Sequence, residues 1–184
     1  MLWVLASTVG WAVGLAVGDA VGEAVVEAVV RAMGFAVGLA VGWAVGGAVA
    51  GAVIGVAQWL ILHHQVHRAG WWILASAAGW AVGLAVGDAV GWAVGGAVAV
   101  AVIGVAQWLL LRRQVHRAGW WILASAAGWA VGLAVADAVA LALAVADAVG
   151  LAVIGAVSGI ITGAVLVWLL RQPRREEERK SQPE

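Results

Sequence analysis

One phrase is written twice in the middle of this chain. QWLILHHQVHRAGWWILASAAGWAVGLAVGDAV from Gln58 returns as QWLLLRRQVHRAGWWILASAAGWAVGLAVADAV from Gln107, and its second half occurs a third time as WVLASTVGWAVGLAVGDAV from Trp3. Repetition on this scale means an array of one structural unit. The closing VWLLRQ around Trp168 matches the QWL of the earlier copies. This sets three units at 1–62, 71–111 and 120–170, with loops at 63–70 and 112–119 and a charged tail, expected to be disordered, at 171–184. The middle unit, Trp71 to Leu111, is apolar almost throughout. An α-helix rises ~1.5 Å per residue through a hydrocarbon core about 30 Å thick, so each unit is long enough to cross it twice and must fold back.

The composition demands the same solvent. Hydrophobic residues make up 65% of the chain and charged ones 11%, against about 25% charge in a soluble domain. A globular surface could not be covered with so few polar groups. Zero net charge gives no electrostatic footprint for nucleic acid, which is not an expected partner. The absence of cysteine excludes disulfides, thiolate metal sites and cysteine nucleophiles. No basic segment precedes Trp3, so the first apolar run reads as a span and not as a signal peptide.

Within the middle unit Gly87, Asp88 and Gly91 interrupt the apolar run and leave two legs of roughly 17 to 20 residues, a transmembrane hairpin in which Asp88 is placed to cap the returning helix. On the same alignment the first unit is much longer than the second and the third moderately longer, with both extensions at the hairpin tips. Nine of the ten Lys and Arg residues fall in the inter-unit loops and the tail, Arg31 being the exception. The positive-inside tendency then makes the loops, the tail and both termini cytoplasmic, with Asp19, Asp88 and Asp137 at outward-facing tips. Trp3, Trp72 and Trp121 open the outgoing legs, and Trp59, Trp108 and Trp168 close the returning ones. At those places they read as one interfacial belt, with Arg68, Arg112, Arg113 and Arg117 beside it in contact with lipid headgroups. Trp11, Trp80 and Trp129, roughly 12 Å deeper by helical rise, read as core, each indole N–H bonded to a neighbouring carbonyl.

Each leg repeats as xAVG, which sets glycines four apart, as at Gly79, Gly83, Gly87, Gly91 and Gly95. Small residues at that spacing let helix backbones approach closely in lipid, and a period above 3.6 makes helices following the seam wrap right-handed. The expected fold is therefore an all-α six-span membrane bundle of three hairpins with close, right-handed, Gly/Ala-rich packing.

Candidate chemistry is sparse. Asp19, Asp88 and Asp137 stand at the same interval after Trp3, Trp72 and Trp121, and three equivalent carboxylates can form an ion-selecting ring. Asp19, Glu23 and Glu27 continue down one helix face to Arg31, which can pair with Glu27. His63 and His67, at i and i+4, could clamp a metal ion or a pigment, but His63 and His64 occupy the places of Arg112 and Arg113, so a polar interfacial role is the stronger reading and neither metal nor cofactor is expected. Ser7, Ser76 and Ser125 recur beside the tryptophans without the histidine and acid of a hydrolytic triad.

The phrases QWLxLRRQVxRAGWWxLAS and GxxTGAVLVWLLRQP resemble a group of uncharacterised bacterial membrane proteins with Trp- and Gly-rich hairpin repeats. The resemblance covers most of the chain, with His63 and His64 departing from the pattern, and implies a bacterial cell membrane without assigning an activity. The function expected is non-enzymatic: a scaffold or accessory subunit that packs through its glycine faces into a homo-oligomer or larger membrane complex. The alternatives are a cation or proton pathway lined by the three aspartates, and metal or pigment binding by the histidines.

Overall fold

The computed structural model describes residues 1–143 and 147–172, the side chains of 143, 147 and 148 excepted. These residues form six helices: α1 (Leu2–Met33), α2 (Phe35–Leu62), α3 (Gly70–Val90), α4 (Trp92–Leu111), α5 (Trp120–Leu143) and α6 (Asp147–Leu170). Glycine and valine are poor helix formers in water, but in hydrocarbon every backbone group has to bond within its own segment, and only the helix does this for a single span. Five of the helices, α2 to α6, are each long and apolar enough to cross a membrane. α1 is the sixth leg, uncharged from Leu2 to Gly18 and carrying Asp19, Glu23, Glu27 and Arg31 in its second half. The chain is a multi-pass helical membrane bundle.

Each helix packs on its two neighbours in sequence, and α6 returns to α1, which closes a ring of six. The start of α1, the end of α6 and the loops at 63–69 and 112–119 gather at one end, the loop end; the reversals at Gly34 and Gly91 lie at the opposite, tip end. Two reversals are made by one glycine each, Gly34 (φ 93°) and Gly91 (φ 106°), a left-handed backbone that glycine adopts without a steric penalty. Asp88 therefore caps nothing. It lies in the last turn of α3, and Gly91 occupies the cap position of α4. Asp19 is likewise several helical turns short of its reversal at Gly34 and Asp137 is inside α5, so neither sits at a tip. The reversal of the third hairpin and the tail from 173 onward, including the basic segment expected to be disordered, lie outside the described residues.

The glycine faces are turned into the bundle. A Cβ added at Gly18 would stand 2.5 Å from the Gly46 carbonyl oxygen, and one at Gly14 would stand 2.8 Å from that of Ala50. Such approach closes the first hairpin, and equivalent contacts seal the α2–α3 and α6–α1 seams. The seams are consequently internal, and the face toward lipid is built from side chains such as Leu5, Val9, Leu74, Val82 and Leu109.

The third repeat is in a different register from the one its VWLLRQ phrase implies. Trp72 Nε1 donates to Gln58 Oε1 (2.9 Å), Trp121 Nε1 to Gln107 Oε1 (3.0 Å), and Trp3 Nε1 to Thr162 Oγ1 (3.1 Å). The counterpart of Gln58 and Gln107 is thus Thr162, and that of Trp59 and Trp108 is Gly163, not Trp168. Neighbours confirm the register: Gly55 abuts Ile73 and Ser76, Gly104 abuts Ile122 and Ser125, and Gly159 abuts Val4 and Ser7. In this register the third hairpin, from Trp121 to Thr162, exceeds the second, from Trp72 to Gln107, by less than two helical turns shared between its legs. The excess is smaller than the closing phrase implies. Unequal length is concentrated instead in α1 and α2, with 32 and 28 residues against 21 and 20 in α3 and α4. At ~1.5 Å per residue the first hairpin stands roughly 12–16 Å beyond the second.

Candidate functional site

Three places collect chemistry: the axis of the ring, a groove near the tip end, and the basic loops. On the axis, Trp3, Ser7, Trp11 and Leu15 fall four apart on α1, so they share one helix face. The other outgoing legs repeat this as Trp72, Ser76, Trp80, Leu84 and as Trp121, Ser125, Trp129, Leu133. The structure turns these faces inward and stacks them in layers.

Trp3, Trp72 and Trp121 meet edge to face with centroids 5.2–6.2 Å apart. Trp11, Trp80 and Trp129 form a second triad at 5.1–6.1 Å. Aromatic pairs of this geometry contribute about 0.5–1.5 kcal/mol each beyond the area they bury. Leucines and small apolar residues, among them Leu62, Leu111, Leu166, Val66 and Val115, pack around the first triad.

This arrangement corrects the interfacial belt. Trp72 has no exposed surface, and Trp3 and Trp121 are buried, so none of the three reaches a headgroup. The other member of each Trp-Trp pair faces outward: Trp71 is 58% exposed, and Trp120, also exposed, meets Trp168 edge to face at 6.4 Å. Trp59 and Trp108 are half-buried. The buried indole donors of the first triad, and not those of Trp11, Trp80 and Trp129 as the sequence suggests, make the bonds to the returning helices described above.

Between the triads lies a small chamber of about 70 Å³ bordered by Ser7, Gln58, Ser76, Gln107, Ser125, Ser158 and Thr162. An indole N–H can only donate, so the amides of Gln58 and Gln107 must present oxygen to Trp72 and Trp121 and turn their NH₂ groups elsewhere. That of Gln107 reaches Ser76 Oγ at 3.3 Å. Ser125, Ser158 and Thr162 donate to the carbonyls of Trp121, Gly128 and Ser158. Ser7 is 1% exposed, and its hydroxyl has no partner among the described residues.

The groove, about 360 Å³, is lined by Asp19 and Glu23 of α1, Trp43 of α2, Leu84, Gly87 and Asp88 of α3, and Trp92 of α4. Its size suits a small ligand or a side chain. Two of the three repeat-equivalent aspartates thus share one site. Asp137 is exposed on α5 and is not among the groove's residues. Trp92 also lies 6.3 Å from Trp80 and 6.0 Å from Trp129, so the groove adjoins the second triad. One turn beyond Glu23, Glu27 pairs with Arg31 at 3.2 Å, the only ion pair among the described residues. The groove thus brings carboxylates and indoles together, and among the described residues no basic side chain is bonded to those carboxylates.

At the loop end, Gln114 Oε1 accepts from His67 N (2.8 Å) and ties the two loops together. Arg112 lies 5.1 Å over the Trp108 ring and, with Arg113 and Arg117, borders an open basic hollow. Arg68 and Arg117, at the same place in successive loops, are held at φ 59° and 57°, a left-handed backbone that is strained for any residue with a Cβ. The His63 ring lies 3.7 Å from that of His64, tilted 43° to it, and its Nδ1 bonds the Leu60 carbonyl (2.9 Å). Among the described residues no group of three or more potential metal ligands converges.

Fold and site together define a polytopic helical bundle with an aromatic-braced polar core. No protein family, curated protein or solved structure matches the chain.

Proposed function

We propose that the chain is a non-enzymatic membrane scaffold that presents its acidic, indole-lined groove to a cationic group. The observation that carries this reading is the convergence of Asp19, Glu23 and Asp88, from two different hairpins, with Trp43 and Trp92. Carboxylates supply charge and indole faces supply cation–π attraction, which strengthens as the site is shielded from water. The ammonium or guanidinium group of a docked partner fits this chemistry, as does a free organic cation. Docking through the glycine faces is less well supported, because those faces are used within the ring.

Calorimetric titration of the detergent-solubilised protein with tetramethylammonium and guanidinium tests the free-cation source. Co-purification from native membranes under mild detergent tests the partner source. Either result should vanish in Asp19→Asn/Asp88→Asn and weaken in Trp43→Leu; a well-folded protein showing neither would remove the proposal. The competing proposal is a conducting pathway through Asp19, Asp88 and Asp137, favoured by the first two sharing one groove. Ion flux in proteoliposomes that is lost in the triple Asp→Asn variant would favour it.

A further inference from the structure

We propose that the axial chamber is a hydrated site holding ordered water, and that this water supplies two links missing from its pseudo-threefold hydrogen-bond pattern. In the second hairpin the pattern is complete, since Gln107 donates from α4 to Ser76 on α3. Its counterpart in the first hairpin would join Gln58 to Ser7. Both side chains border the chamber, but Ser7 Oγ is left without a partner among the described residues. The counterpart in the third hairpin would join Thr162 to Ser125. Threonine is too short to repeat the glutamine's reach, and both hydroxyls, which border the chamber, donate to backbone carbonyls instead, so that each keeps capacity to accept a further bond.

The occupant has to be both donor and acceptor: it must offer a hydrogen to Ser125 or Thr162 and accept one from the Gln58 amide, while satisfying Ser7. None of the described residues bordering the chamber is ionisable, so an ion of either sign would be buried without a counter-charge, which is costly. Water meets the requirement. At roughly 30 Å³ per molecule the volume admits about two, the number of missing links. The tryptophan triads on either side shield this water and make it a resident of the fold, not part of a continuous aqueous path.

Radiolytic hydroxyl-radical footprinting of the protein in nanodiscs reads such water directly, because radicals formed at a buried molecule modify the side chains beside it. Trp80 borders the chamber; Trp72, buried to the same degree (1% and 0% exposed), does not. The expected result is modification of Trp80 severalfold faster than of Trp72, with the difference abolished in Ser7→Ala/Gln58→Leu. Equal rates at Trp80 and Trp72 in the unmodified protein would overturn the proposal, and this comparison does not depend on the variant folding. A difference that persists undiminished in the folded variant would overturn it as well.

Discussion

Two of the three seams between hairpins close on glycine, and the third does not. Where α2 meets α3 and where α6 meets α1, Gly51 and Gly155 occupy equivalent places; where α4 meets α5, that place is held by Val100. The consequence is visible one turn away. A Cβ added at Gly55 would stand 2.8 Å from Ile73 Cα, and one at Gly159 would stand 2.9 Å from Ser7 Cβ, but at Gly104 the nearest atom, Ser125 Cβ, is 3.5 Å off. One isopropyl group wedges two helices apart, and the Trp129 ring fills the space beside Gly96 where α3 offers Gly47 the Trp80 backbone. Association without a hydrophobic driving force depends on backbone proximity, so the α4–α5 seam is the weakest of the three and the one nearest to opening.

Gly51→Val imposes the third seam's residue on the first and should have the largest effect. The new side chain would meet the Ser76 backbone, an overpacking that costs about 3 kcal/mol, read as a lower midpoint in SDS-induced unfolding. Gln107→Leu acts at the same level through hydrogen bonding. It leaves the buried Trp121 donor without its acceptor and Ser76 without its donor, at a cost of about 2 kcal/mol by the same assay. The reciprocal change, Val100→Gly, loses the contacts of a half-buried side chain but lets α4 and α5 approach. Its stability should stay within about 1 kcal/mol of the starting protein, while amide hydrogen exchange in α4 and α5 slows toward that of α2 and α3. Smallest is Arg117→Gly in the loop joining those helices, where relief of the left-handed strain is partly offset by glycine's greater freedom when unfolded. The expected gain is about 0.5 kcal/mol in the same unfolding assay.

The hairpin array, the helical class and the Glu27–Arg31 pair are legible from repetition, hydropathy and spacing, because each depends on local sequence. What the sequence hides depends on which side of a helix becomes the inside. Of each Trp-Trp pair the second member looks interfacial by position, yet it is the one in phase with Ser76 and Trp80, or Ser125 and Trp129. That i, i+4, i+8 stripe is the signal that could have placed it on the axis. Ser7, Ser76 and Ser125 belong to the same stripe, which gives them a place on the axis. The register of α6 is obscured because WLL at 168–170 copies the earlier phrase, while the hydrogen-bonding counterpart of Gln107 is a threonine more than a turn before the place that the phrase marks. The Asp19–Asp88 groove arises from unequal hairpins placed side by side, a relation that no single repeat contains.

Closure of the ring by α1 and α6 is the contact on which the layered axis rests. The chain has no cysteine, so a pair can be introduced without background. Thr8 and Ala156, both half-buried, flank the contact of Gly155 with Ser7 and Trp11. Thr8→Cys/Ala156→Cys should cross-link within one chain on treatment with a short bifunctional maleimide, whereas Thr8→Cys paired with Val105→Cys on α4, across the ring, should not. Failure of the first pair to join, or joining only between chains, would contradict the closed ring.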